Sequence, residues 1–201
     1  SEDLLRHMII NSLRNYQKRY AEEYGEIVLC TDAANPWRRT YFPLYKANRK
    51  KARAKDDMDW TLIFDTLHKV KMEIKENFPY RYMYVERCEA DDIIAYTVNK
   101  IYSDHRCVIV SSDKDYYQLL SERITQWSPG QKKFITPEVV YEKFGISVAN
   151  FCTARSIIGD DSDNLSGVKG AGFKTLAKRF ENLSSDEFVS VEEILSLSTE
   201  L

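Results

Sequence analysis

Apolar residues recur three and four positions apart from about Asp3 to Tyr24, so this stretch predicts an amphipathic helix, with Gly25 as its C-terminal cap. The spacing then changes. Glu26-Ile-Val-Leu-Cys30 is β-rich and reads as a strand, and helical spacing returns from about Asp59 to Asn77, where Pro79 marks the stop. A strand is predicted from about Tyr80 to Glu86, and a helix starts within Glu89-Ala-Asp-Asp-Ile-Ile-Ala. Cys107-Val-Ile-Val110 reads as a short central strand, Ile124 to Trp127 and Phe134-Ile135 as strands around Pro129-Gly130, and Pro137 to Phe144 as a helix. Alternation of this kind predicts an α/β fold, a mostly parallel twisted sheet with helices on both faces.

Acidic residues gather where these elements meet. Asp32 follows the first strand, Glu89, Asp91 and Asp92 open a helix, Asp113 and Asp115 follow the central strand, and Asp160, Asp161 and Asp163 follow Gly159. The carboxyl edge of an open α/β sheet is where ligands bind, and carboxylates gathered there repel one another unless cations neutralise them. Oxygen ligands select hard divalent ions, and two such ions can clamp the attacking and leaving oxygens of a phosphodiester. Helix capping accounts for one acid in the Glu89–Asp92 cluster but hardly for three.

The composition, 43% hydrophobic and 30% charged, excludes a disordered chain, and no apolar run approaches a membrane span. The amino terminus, with Glu2, Asp3 and Arg6 around Leu4-Leu5, does not read as a signal peptide, so the expected compartment is the cytosol of a cell or of an infected host. Cys30, Cys88, Cys107 and Cys152 lack CxxC spacing and read as buried free thiols. A net charge of −2 argues against nucleic acid until its distribution is considered. Arg38, Arg39, Lys46, Arg49, Lys50, Lys51, Arg53 and Lys55 fall in a stretch without one acid, interleaved with Trp37, Tyr41, Phe42 and Tyr45. Cations meet phosphates and aromatic faces stack on unpaired bases. A solvated basic loop, or a helix that packs its aromatic face, is the alternative reading. Farther on, Gly167, Gly170 and Gly172 with Lys169, followed by Lys174 and Thr175, form a glycine turn before a helix, whose amides can approach phosphates.

Six motifs in order carry a resemblance: Thr31-Asp32 with Trp37-Arg-Arg39, Tyr45-Lys-Ala-Asn-Arg49, Glu89-Ala-Asp-Asp92, Ser111-Ser-Asp-Lys-Asp115, Gly159-Asp-Asp-Ser-Asp-Asn164 and Gly167-Val-Lys-Gly-Ala-Gly172. With them the chain resembles the bacteriophage-type 5′-nucleases of the flap endonuclease family, of the T4 RNase H and T5 5′-exonuclease types. The resemblance implies a PIN-like nuclease core over residues 1–145, with a helical arch at about 37–58. It implies a helix-hairpin-helix region over 146–201, hairpin 167–172, integral to the same domain. It implies two Mg²⁺ or Mn²⁺ ions, the tighter held by Glu89, Asp91, Asp92, Asp113 and Asp115, the second by Asp160 and Asp163, with Asp32 acting through water. Lys46 and Arg49 take the place of arch cations at the scissile phosphate. Arg38, Arg39, Tyr45, Lys50, Lys51, Arg53, Gly167, Lys169, Gly170, Gly172, Lys174 and Thr175 are expected to contact DNA, with K⁺ at the hairpin. Expected substrates are branched or nicked DNA, 5′ flaps and RNA–DNA hybrids, and expected partners a single-strand-binding protein or a polymerase. The arch is expected to be mobile without DNA, with none of it in the core.

The family begins with an apolar strand bearing an aspartate, whereas this chain opens inside what reads as the following helix. A truncated or partial product that holds metal more weakly is therefore expected, and a DNA-binding module without catalysis is the competing function. A metal-dependent phosphatase would also use Asp-x-Asp at a strand end, but needs neither the basic aromatic segment nor the glycine turn.

Overall fold

The amphipathic segment at the amino end folds as α1 (Glu2–Tyr24), closed by Gly25 at φ 82° as its N–H bonds the Ala21 carbonyl. This computed structural model describes residues 1–199, and the side chains of Lys50, Lys51, Ala52 and Thr199 lie outside the described residues. The chain divides into two compact units, residues 1–97 and the residues from Val98 onward.

In the first unit β1 (Val28–Cys30) is followed by two short helices, α2 (Arg38–Tyr41) and α3 (Ala47–Arg53), then α4 (Trp60–Asn77), β2 (Arg81–Met83) and α5 (Ala90–Tyr96). The side chain of Asp59 accepts from the Leu62 N–H at 2.9 Å, satisfying one of the donors that the first turn of α4 leaves open. Thr66, Val70 and Ile74, spaced by four, form the buried stripe of α4. α4 packs beside α1 and against β2, and α5 against β1. Exposed ion pairs, Arg6 with Glu73 and Lys69 with Glu2, run along the α1–α4 seam. β1 and β2 pair in parallel, Val28 opposite Arg81 and Cys30 opposite Met83.

In the second unit β3 (Cys107–Val110) pairs in parallel with β4 (Ile124–Ser128), which pairs antiparallel with β5 (Lys133–Ile135) across the Pro129-Gly130 turn. α6 (Pro137–Phe144) ends on Gly145 in the left-handed conformation. α7 (Phe151–Ile158) leads into the small antiparallel pair β6 (Gly159–Asp160) and β7 (Leu165–Ser166), followed by α8 (Phe173–Arg179) and α9 (Val191–Thr199). The core here joins Ile146, Ala154, Leu176, Phe180, Leu183, Val189 and Ile194. Rings of Tyr117, Phe144, Phe151 and Phe173 stack beside it, with centroids 4.5 to 6.2 Å apart. Asn150, fully buried, ties the α7 side to the segment before α9: its Nδ2 donates to the Glu187 and Ser185 carbonyls at 2.9 and 3.0 Å, and its Oδ1 accepts from the Val189 N–H at 2.7 Å.

The strands among the described residues thus form three short sheets rather than one continuous sheet. Parallel pairing holds where a helical crossover separates the strands, as from β1 to β2. A five-residue-or-shorter turn between β4 and β5 permits only a hairpin. The cysteines are free, as expected, but they are not buried: Cys30, Cys88 and Cys107 are half-buried and Cys152 is exposed. No described helix is long and apolar enough to cross a membrane.

Candidate metal centre and basic surfaces

The sequence Glu89-Ala-Asp-Asp opens α5 with three acids in one turn, where free N–H groups and the helix dipole favour negative charge. Asp92 Oδ2 accepts the Glu89 N–H at 3.0 Å, and Asp32, brought alongside by the end of β1, accepts the Ala90 N–H through Oδ1 at 2.7 Å. Asp32 therefore acts first as a cap on α5. Glu89 is only 7% exposed. A buried carboxylate demands partners, and the basic segment supplies them. Lys46 Nζ donates to Glu89 Oε1 at 2.6 Å, Tyr45 Oη to Oε2 at 2.9 Å, and Arg38 to Oε2 at 3.1 Å. Arg38 also forks onto both Asp92 oxygens at 2.8 Å, and Trp37 Nε1 reaches Asp92 at 3.1 Å.

These bonds shift the charges of the pair. Burial raises the Asp92 carboxyl, but the Arg38 hydrogen bond and the Glu89 N–H outweigh it, so the group lies below the usual aspartate range. The same hydrogen bond raises the Arg38 guanidinium above its ordinary value, against its burial. This corrects the expectation that none of the segment belongs to the core. Tyr45 is 6% exposed with its hydroxyl on Glu89, and Lys46, at a positive φ of 55°, places its ammonium on the same carboxylate. Arg38, Tyr45 and Lys46, expected to face DNA, here face Glu89 and Asp92. Arg53 lies over the rings of Phe64 and Trp60 at 5.3 and 6.0 Å, a cation–π seat rather than an open phosphate site. Arg39 and Arg49 are exposed, on α2 and α3, and Asp91 lies half-buried in the first turn of α5. The Lys50 and Lys51 side chains fall outside the described residues.

The second unit gathers its own acids. Asp115, at the head of a 3₁₀ turn (Asp115–Leu119) after β3, presents a carboxylate oxygen to those of Asp160 and Asp163, all within 4.8 Å of one another. The family resemblance implies that Asp115 serves a different ion from Asp160 and Asp163; the fold brings oxygens of all three within 4.8 Å of one another. Their approach comes from a tight backbone: Gly159 turns at φ 81°, and a Cβ on Gly167 would lie 1.8 Å from the Ile158 carbonyl oxygen, so only glycine lets the segment after β7 close against the end of α7. Arg155, on α7, donates to Asp115 Oδ1 at 3.2 Å and to Asp160 Oδ2. Burial, then the Asp113 and Asp160 charges, push the Asp115 carboxyl above its usual range despite Arg155. For Asp160 burial is outweighed by the Ser162 bonds and by Arg155, so its carboxyl lies below that range. Unequal carboxylates, all oxygen donors, with net negative charge beyond one arginine, suit a hard divalent cation. Asp113 stands beside this group, its Oδ1 accepting the Asp115 N–H at 3.0 Å.

Arg155 was invisible in the sequence, since one cation in an apolar helix carries no pattern. In the glycine turn Gly170 has φ 82°, whereas Gly172 is extended with open space where a Cβ would be, so backbone conformation demands glycine only at the former. Lys174, Thr175, Lys178 and Arg179 line one exposed, basic face of α8, and Lys169 is exposed nearby in sequence.

Carboxylate clusters at the strand and helix ends of an α/β chain are suited to divalent cations, and similarity to known proteins supplies the family. Residues 5–145 match the 5′-3′ exonuclease N-terminal, resolvase-like domain, and the chain belongs to that family. It is similar to ribonuclease H of Enterobacteria phage T4, 39% identical over 171 residues, which cover 83% of this chain and 54% of that protein. It is also similar to flap endonuclease Xni of Psychromonas ingrahamii, 34% identical over 145 residues, covering 70% of this chain and 51% of the relative. The chain thus spans about half the length of these relatives. Among solved structures, a bacteriophage T5 flap endonuclease in a pseudo-enzyme-product complex with DNA and metal ions superposes with a TM-score of 0.80 at 23% identity, over 95% of this chain and 70% of that one. T5 5′-exonuclease with divalent zinc bound gives 0.73 at 22%, over 97% and 76%. At such identity the likeness carries the fold, an α/β 5′-nuclease fold.

Proposed function

We propose that this chain is a divalent-metal-dependent 5′-nuclease that hydrolyses phosphodiesters in branched or nicked DNA, 5′ flaps included, and the RNA of RNA–DNA hybrids. The observation that carries the reading is the Asp115, Asp160 and Asp163 group, whose carboxylate oxygens lie within 4.8 Å of one another. When bound there, Mg²⁺ or Mn²⁺ supplies Lewis-acid activation of water and neutralises phosphate charge. Asp115, Asp160 and Asp163 hold the ion, with Asp113 fixing the Asp115 backbone. Glu89, Asp91, Asp92 and Asp32 form the other acidic group, whose share of metal binding belongs to this reading. Lys46 and Arg49 offset charge developing on the scissile phosphate.

Residues 146–201 grip duplex backbone in this reading. Gly167, Lys169, Gly170 and Gly172 offer amides and charge to phosphate, with K⁺ on the turn's carbonyls, and Lys174 and Thr175 extend the surface. Contact to phosphates alone carries no base information, so recognition follows strand architecture. Primer or flap removal during replication, in the cytoplasm of a cell or of a phage-infected host and beside a polymerase or single-strand-binding protein, is the process such chemistry serves. The test is a 5′-labelled flap incubated with and without Mg²⁺. Metal-dependent release of a 5′ fragment is expected, and a flap that is bound but left intact in both Mg²⁺ and Mn²⁺ would overturn the proposal in favour of DNA binding alone.

A further inference from the structure

Gln126 lies on β4 with its side chain wholly buried. Its Nε2 donates to the Ser111 carbonyl at 2.6 Å and to the Asp113 carbonyl at 2.8 Å. Two carbonyl partners fix which end of the amide faces the loop, since only a nitrogen can serve both. The opposite atom, Oε1, is buried with no hydrogen-bond partner among the described residues. An orphaned buried acceptor is a standing cost, and a Leu or Met on this strand would fill the space without it. A glutamine here therefore makes sense through what its donors hold.

They hold the segment from Ser111 to Asp115. Along it Ser111 Oγ accepts the Asp113 N–H at 3.1 Å, and Asp113 Oδ1 accepts the Asp115 N–H at 3.0 Å, so each residue sets the next. A second strap fixes the middle: Ser112 Oγ lies 3.2 Å from the buried Ser128 hydroxyl and accepts the Gly130 N–H at 3.0 Å. The chain of bonds ends at Asp115, whose carboxylate meets Asp160 and Asp163.

We propose that Gln126, with the Ser112–Ser128 hydroxyl pair, is a positioning device that sets the geometry of Asp113 and Asp115 and thereby the affinity of the site for a divalent cation. This rests on reading the Asp115, Asp160 and Asp163 group as a divalent-cation site. The device works through backbone: β4 is held on both sides by β3 and β5, and Gln126 transmits that rigidity to a loop that has no ladder of its own. Residues that orient ligands are worth about 10-fold or more in metal affinity, and an effect relayed through carbonyls is expected at the low end, about 3- to 10-fold.

The experiment is calorimetric titration of Mn²⁺ into chelator-treated protein, paired with thermal melting in EDTA, for the wild type, Gln126→Met, Ser112→Ala and Ile124→Val. Methionine keeps the volume while removing both donors and the orphaned acceptor. Ile124, also buried on β4, makes its turn hydrogen bonds to Ser121 and none to residues 111–115, so its variant reports stability. Expected is a Gln126→Met protein that melts close to wild type but binds Mn²⁺ more weakly, Ser112→Ala shifted in the same sense, and Ile124→Val that melts lower with affinity unchanged. In cleavage assays the Gln126→Met variant should need more Mg²⁺ for half-maximal rate and recover near-normal turnover at saturation. Wild-type affinity in both Gln126→Met and Ser112→Ala, or an equal loss in Ile124→Val, overturns the proposal. Should Gln126→Met fail to fold, Ser112→Ala, at an exposed position, decides alone. A wild-type protein that binds no divalent ion overturns the site reading and this inference with it, whereas a wild type that binds and variants that match it overturn this inference alone.

Discussion

Asp115 is a carboxylate that the fold holds at some expense to stability. Its raised pKa means that the stabilising protonated form is fully present below the unfolded-state value, and that this contribution is lost as pH rises through the folded one. At neutral pH without metal, Asp115→Asn is therefore expected to raise the melting temperature by about 1–3 °C, discounted because the side chain is partly exposed. The same change should abolish Mn²⁺ binding and cleavage; differential scanning calorimetry in EDTA, beside titration, checks both signs. Asp92 runs in the opposite direction. Its lowered pKa gives stability that is present above the ordinary aspartate value, near 3.9, and lost as pH falls through the folded one. Metal-free protein should lose the Arg38–Asp92 contribution in that acid window, and Arg38→Met should flatten the loss in melting temperature followed from pH 6 to 3. At Gly167 any Cβ meets the Ile158 backbone, so Gly167→Ala should destabilise by about 2–3 kcal/mol in urea unfolding, whereas Gly172→Ala should leave the fold intact.

At the scale of elements, much was written in the chain. Helical spacing gave α1, α4 and α6 to within a residue or two, and apolar runs gave β1, β3 and β4, because burial on one face imposes a period that survives in sequence. The acids were legible too, since they stand where elements end. What escaped were pairings between distant segments. Nothing near Arg155 announces that it will bridge Asp115 and Asp160, nothing near Tyr45 says that its hydroxyl will be buried on Glu89, and Gln126 looks like any polar residue in a half-exposed strand. The same limit hid Asn150. Its amide substitutes for missing secondary structure between α7 and the 185–189 segment, so Asn150→Ala, which leaves the Val189 N–H without its acceptor, should cost about 2–4 kcal/mol by urea unfolding.

For the molecule as a whole, a net charge of −2 conceals a division of labour. Arg38, Lys46 and Arg155 are spent on internal acids, while Lys174, Lys178 and Arg179 face outward. Phosphate binding by the outward set should be sequence-blind and salt-steep. Lys174→Ala and Lys178→Ala should each weaken a nicked duplex similarly for every sequence tried and reduce the slope of log affinity against log salt by about 1. Fluorescence anisotropy across a salt series measures this, and unchanged slopes would assign the duplex to another surface.

Trp37 offers a view into the first unit that requires no label. Its indole nitrogen is bonded to Asp92, and the Arg38 guanidinium lies 4.6 Å from its ring, so its excited state sits between an anion and a cation that both belong to the acidic cluster. Any ligand that draws Asp92 away or displaces Arg38 changes the field across that ring and hence its emission. Trp37→Phe supplies the blank, leaving Trp60 and Trp127 as background. Titrating Mg²⁺ and then a flap into the two proteins would show whether the cluster responds to the ion, to the nucleic acid or to both in order, read as colour and intensity from a single native side chain.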